Sequence, residues 1–176
     1  MTAYKIAVLE KKRTIIKNNM EEKIVELLIK HHLKITTAES CTGGLIAAAL
    51  VNVPGISGQF EEGYITYSNE AKEKLLGVSH ETLEQFGAVS SQTAEEMARG
   101  ARKAAGADIS VISTGIAGPG GGTEEKPVGL VYLACCFGDE TEVKRYIFSG
   151  DRQKIRSESV KAALALTESM IHRRKE

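Results

Sequence analysis

DISVISTGIAGPGGG, residues 108–122, decides how the rest of the chain is read. Following Asp108, the apolar Ile109, Val111 and Ile112 are interspersed only with Ser110, Ser113 and Thr114, so the run 109–114 holds apolar and small hydroxyl side chains alone. Such a run is expected of a strand covered on both faces, as in sheets that carry helices above and below. Glycines 115, 118, 120, 121 and 122 follow at once. In open α/β sheets, ligands bind where a strand's carboxyl end gives way to a loop. This stretch therefore predicts both a central strand and one corner of a binding site.

Working outward, Ser91 starts a helix whose Ala94, Met97, Ala98, Ala101, Ala104 and Ala105 form a narrow face suited to close packing on a sheet. After the glycines come two strand-like runs, VGLVYLACCF (128–137) and TEVKRYIFS (141–149). Asp151 then caps a long last helix with Val160, Ala163, Leu164, Thr167, Met170 and Ile171 turned inward. Towards the other end, GQFEEGYITYS (58–68) reads as a strand, and Asn69 as the cap of a short helix carrying Lys72. ITTA (35–38) is a short strand, and Gly43–Gly44 opens a helix, LIAAALVNV, that stops at Pro54. Asn19 with Glu22 makes a capping-box-like start for a helix bearing Met20, Ile24, Leu27 and Leu28. Five strands interleaved with helices predict a three-layer α/β/α sandwich over residues 19–176, with residues 1–18 a basic arm or an extra element.

The chain has 176 residues, enough for one domain with a substantial core. Lys plus Arg and Asp plus Glu are both 23, so no global field favours nucleic acid or an anionic membrane. Tryptophan is absent and aromatics are 5%, which argues against stacking platforms for single strands. Cys41, Cys135 and Cys136 show no CxxC spacing and leave an odd thiol, as in a reducing compartment. The N-terminal apolar run is too short for a signal peptide, and no segment is long enough to span a bilayer. A cytoplasmic protein with a small-molecule partner is expected.

Three stretches carry candidate chemistry. The glycine loop lets backbone N–H groups converge on an anion, although it matches neither a Walker A loop nor GxGxxG before a helix. In SGDRQKIR (149–156), Arg152 and Arg156 share a face on the first turns of a helix. Cations there oppose the helix dipole by about 0.3–1 kcal/mol each, a conflict that a bound anion would remove. Third, AESCTGG (38–44) sets Ser40, Cys41 and Thr42 in a row at a strand-to-helix turn. The histidines, 31, 32, 80 and 172, offer neither a metal pair nor a base for a nucleophile. Lysine is the usual substitute base, and Lys72 in TYSNEAK (66–72) lies on the first turn of its helix, where a neutral amine is favoured. Thr42 fits best as a helix cap. Spacing does not rank Ser40 above Cys41, but chemistry without histidine tilts towards serine.

Together TTAESCTGG (36–44), YSNEAK (67–72), FGAVS (86–90), TGIAGPGGGTEEKPVG (114–129) and FSGDRQKIR (148–156) resemble the CinA C-terminal domain family, the nicotinamide-nucleotide amidases, from about residue 20 to the end. The resemblance implies a mixed, mainly parallel sheet, a homodimer, and metal-independent hydrolysis of nicotinamide mononucleotide to nicotinate mononucleotide and ammonia, with no cofactor. By motif, Ser40 would be the nucleophile, Lys72 its base and Tyr67 an assistant. Ser57 would lie near the reacting group, although PGISG departs from the commoner GSSAW. Thr114, Gly115, Gly118 and Gly120 would line the substrate, with Arg152 and Arg156 on its phosphate side. Backbone N–H groups of Cys41, Thr42, Gly43 and Gly44 would hold the oxyanion. The competing readings are a non-catalytic nucleotide- or partner-binding module linked to competence or DNA damage, and a Cys41 thiol amidase.

Overall fold

The computed structural model describes residues 19–175, so the expected arm at residues 1–18 lies outside the described residues. In chain order the elements are α1 (Met20–Lys30), β1 (Ile35–Glu39), α2 (Leu45–Val51), a 3-10 turn (Ile56–Gly58), β2 (Gly63–Ile65), α3 (Asn69–Leu76), α4 (His80–Phe86), α5 (Ser91–Ala104), β3 (Ile109–Gly115), β4 (Leu130–Phe137), β5 (Glu140–Ile147) and α6 (Arg152–Lys175). The sheet order is β2-β1-β3-β4-β5. β1 pairs in parallel with β2 and β3, while β4 is antiparallel to both β3 and β5, so β4 alone is reversed. The carboxyl ends of β1 and β3 therefore lie side by side, with Glu39 opposite Ser113.

Helices cover both faces. On one, Ile24 and Leu28 of α1, Ile46 and Leu50 of α2, and Leu164 and Ile171 of α6 bury Ile35, Ile109, Val111 and Leu133. On the other, Leu76 of α3, Leu83 of α4, and Ala94, Met97, Ala98 and Ala101 of α5 pack on Ala38, Ile112 and Ala134. The small side chains of α5 bring its backbone close to the sheet; Ala104, in its last turn, is exposed. Gly100 serves the other side of α5. A Cβ there would run into the backbone carbonyl of Leu76, so its absence lets the end of α3 rest directly on α5.

Local details differ from expectation where two signals compete. Asn19 is the cap residue of α1 but its side chain makes no capping bond; burial of Ile24, Val25 and Leu28 holds that helix instead. Ser68, not Asn69, caps α3, its hydroxyl accepting from the Ala71 N–H at 3.2 Å. Both residues are good caps, and the extended backbone of Ser68 places its oxygen over the third N–H. β2 spans three residues of the eleven-residue run expected to be strand, matched to the last three of β1. Helix α4 has one buried residue, Leu83, and so carries no periodic signal. Asp151 starts α6 as expected, accepting from the Lys154 N–H at 2.8 Å.

Candidate active site

The site is built where β1 ends. Alternation along a strand sends Ile35 into the α1/α2/α6 face and Ala38 into the α3/α4/α5 face. Continued past Glu39, the same alternation sends Ser40 towards α3 and Cys41 into the core against α2 and α6. The Ser40 N–H donates to the Ser113 carbonyl at 3.0 Å, which ties the turn to β3. From α3, Lys72 reaches the same point, with its side chain buried and 1% of the residue exposed. Its Nζ lies 3.4 Å from Ser40 Oγ, 2.8 Å from the Thr66 carbonyl oxygen and 3.5 Å from that of Ser68. Burial pushes this amine below its ordinary 10.5. A neutral amine has two N–H groups and one lone pair. With the two carbonyls accepting the N–H groups, the lone pair is left for the serine hydroxyl.

Cys41 meets different surroundings. It is 6% exposed, and burial pushes its thiol up to about 11. At neutral pH it is a protonated core side chain. The two adjacent nucleophile candidates thus fall on opposite faces of the sheet, and the hydroxyl is the one that meets a base.

Sequence reasoning missed Glu39. Fully buried, its Oε2 accepts from the Thr42 hydroxyl at 2.6 Å and from the N–H groups of Gly44 at 2.9 Å and Ile46 at 3.0 Å. Its Oε1 accepts from the Ala47 N–H at 2.8 Å. Glu39, rather than Thr42, therefore satisfies the open N–H groups of α2, and its charge complements that helix end. Thr42 gives its proton to Glu39, so Ser113 Oγ, 2.6 Å away, must donate to Thr42. Because Gly44 already donates to Glu39, its N–H is not free for an oxyanion. A lone charged residue ending an apolar strand just ahead of Gly–Gly was the available signal.

The two arginines share the first turns of α6 but diverge. Arg152 donates to the Gly118 carbonyl at 2.8 Å and to the Tyr67 hydroxyl at 3.1 Å, joining the glycine loop to the β2–α3 connection. Arg156 donates through Nε to the Cys41 carbonyl at 3.1 Å and through Nη2 to the Thr42 carbonyl at 2.6 Å. The expected two-arginine anion fork is not what they form, because one guanidinium holds the Ser40 turn itself. Glu158, on the same helix, pairs with Lys154 and Lys161 rather than with either arginine.

Other expected substrate contacts are redirected. Thr114 is buried and donates to the Ala88 carbonyl at 2.6 Å, pinning the α4–α5 connection to the end of β3. Ser57 is exposed on the 3-10 turn. That turn belongs to the opposite end of β1, since the Ile35 N–H donates to the Gln59 carbonyl and Gly55 abuts Ile29 of α1. Five residues of extended chain, roughly 17 Å, separate that end from Ser40. Gly115 and Gly118 have packing reasons to be glycine, because a Cβ would lie 2.7 Å from the Leu130 carbonyl in the first case and 2.6 Å from Val128 in the second. Gly120, with open space around it, has none.

Fold and site together define a three-layer α/β/α domain with a serine–lysine pair beyond the carboxyl ends of parallel strands. The family model of the CinA C-terminal domain matches residues 17–171, and the chain belongs to that family. It is 57% identical over 141 residues to a competence-damage inducible protein of Clostridium perfringens, covering 80% of this chain and 34% of the relative. It is 58% identical over 146 residues to a CinA-like protein of Kosmotoga olearia, covering 83% of this chain and 35% of the relative. The chain thus spans about a third of the length of these curated relatives. Among solved structures, the competence/damage inducible protein CihA of Agrobacterium tumefaciens superposes with a TM-score of 0.84 at 44% identity, covering 85% of this chain and 92% of that one. A CinA superfamily protein of Enterobacter cloacae gives 0.83 at 41% identity, covering 86% and 90%.

Proposed function

We propose that this domain is a metal-independent amidase that removes ammonia from the carboxamide of nicotinamide mononucleotide. The observation that carries the chemistry is the buried Lys72 amine, held 3.4 Å from Ser40 Oγ and pushed by burial towards its neutral form. The family likeness supports the choice of substrate. The exposed Arg152, beside the glycine loop and Tyr67, supplies a cation for the nucleotide phosphate.

In this reading Ser40 Oγ attacks the amide carbon as its proton passes to Lys72. The buried ammonium is then disfavoured by the same desolvation, so it readily returns the proton to the departing nitrogen as ammonia leaves. Water, deprotonated by the neutral amine, attacks the acyl-serine carbon; the ammonium then returns that proton to Ser40 Oγ as the carboxylate leaves, restoring hydroxyl and neutral amine. N–H groups of the turn after Ser40 stabilise the oxyanion in both steps, an effect worth about 2.7–4 kcal/mol per donor in other hydrolases.

The test is ammonia release from the mononucleotide with a chelator present. Turnover by the wild type, lost in Ser40→Ala while the mononucleotide still binds, is the expected result. Binding without ammonia release by the wild type would leave a nucleotide-binding module instead.

A further inference from the structure

We infer that Arg156 is a positioning residue: it sets the N–H group of Gly43 as an oxyanion donor of this site. The inference rests on the serine–lysine reading above and begins from peptide geometry. In a planar trans peptide, the N–H points away from the C=O of the same unit. Arg156 draws the carbonyls of Cys41 and Thr42 towards α6. The Thr42 N–H contacts the Cys41 thiol, whereas the N–H of Gly43, which shares the peptide unit of the Thr42 carbonyl, is turned away from α6. That is the direction away from the face that buries Cys41, and Lys72 approaches Ser40 from the opposite face.

Two further observations fit. Aligning successive carbonyls side by side is electrostatically unfavourable unless a cation donates to both, and a guanidinium with two adjacent donors does so. Glu39 acts on the complementary groups, taking the N–H of Gly44, Ile46 and Ala47 and passing over those of Thr42 and Gly43. The turn is thus held from its carbonyl side by a cation and from its helix side by an anion, with the Gly43 N–H between them. An arginine binding the substrate phosphate would instead direct its donors outwards, as Arg152 is placed to do.

The experiment compares kcat and KM for ammonia release by the wild type, Arg156→Ala and Arg156→Lys. Alignment of donors acts on the transition state, so Arg156→Ala is expected to lower kcat roughly 100-fold with KM within about threefold of the wild type. Guanidinium chloride at sub-denaturing concentration should restore part of that kcat. Arg156→Lys, which keeps the charge but lacks the fork, should lose roughly 10-fold and decides the matter if the alanine variant does not fold. A raised KM with unchanged kcat in either variant would overturn the inference and make Arg156 a substrate ligand. A wild type that releases no ammonia would instead overturn the amidase reading, and the inference with it.

Discussion

Two ionisable side chains are buried at the end of β1, one on each face of the sheet, and they are treated oppositely. Glu39, 0% exposed, receives four donors within 3.0 Å and is compensated on every side. Lys72, 1% exposed, has one carbonyl at 2.8 Å, while its other two contacts, a hydroxyl at 3.4 Å and a carbonyl at 3.5 Å, are too long to hold an ammonium's protons well. A charge inside a protein is tolerated when its lone pairs or protons are matched, and otherwise the group tends to neutralise. The first treatment makes Glu39 part of the framework. The second leaves a proton on Lys72 poorly held, which suits the base proposed above. Two residues of similar burial thus have different employment, and hydrogen-bond partners tell them apart.

The sharpest way to break this contrast is Lys72→Met. Loss of a general base should lower kcat roughly 10²–10⁴-fold. In the wild type the rate should climb with pH as the amine deprotonates below its ordinary 10.5, and the variant's residual rate should lack that limb. Stability provides a second reading of the same group. Between the lowered folded value and 10.5 the unfolded chain holds a proton that the native chain does not, so unfolding free energy rises with pH in that window. Below the window the penalty is constant, and above it the penalty vanishes. Urea midpoints across pH should show this slope in the wild type and not in Lys72→Met. Equal slopes would mean that the amine is not held neutral.

On the other face, Glu39→Ala leaves several buried N–H groups of α2 without an acceptor. A stability loss of about 3 kcal/mol is expected by denaturant titration, with a smaller loss for Glu39→Gln, which keeps one acceptor oxygen. A loss below about 1 kcal/mol would deny Glu39 its structural role. The mildest change is Cys41→Ala. Activity within about twofold of the wild type and a stability loss of about 1 kcal/mol are expected of a truncated core side chain. Intact wild-type Cys41 should also react slowly with iodoacetamide at pH 7, given a thiol raised to about 11. Rapid labelling that abolished turnover would return the thiol to contention.

The layered fold was legible because it depends on periodic signals. The buried strand β3, the face of α5 at Ala94, Met97, Ala98 and Ala101, and the stripe of α6 from Ala163 to Ile171 lie where the pattern placed them, while Ala104 is exposed and Val160 only partly buried. The meeting of Ser40 with Lys72 was legible as well, through two motifs at successive strand ends. What the letters concealed were the non-local polar bonds. Glu39 caps a helix that starts six positions later, and no cap rule looks that far back. Arg156 looked like an anion ligand because spacing reports which residues share a helix face, not which carbonyls they will find. Ser57 lies near the reaction in the family pattern, but here the chain after α2 returns to the start of β1 before β2 begins. The letters point to Asn69 as the cap of α3, but the extended backbone one residue earlier gives that place to Ser68.

Gly100, far along α5 from the reacting atoms, allows the carboxyl end of α3 to lie flush against its neighbour. A single methyl there would act as a wedge, tilting the helix that carries the amine while leaving every letter of the catalytic motifs untouched. Descendants of this gene could therefore fall silent with their signatures intact, and an inventory of those signatures would still count them as working copies.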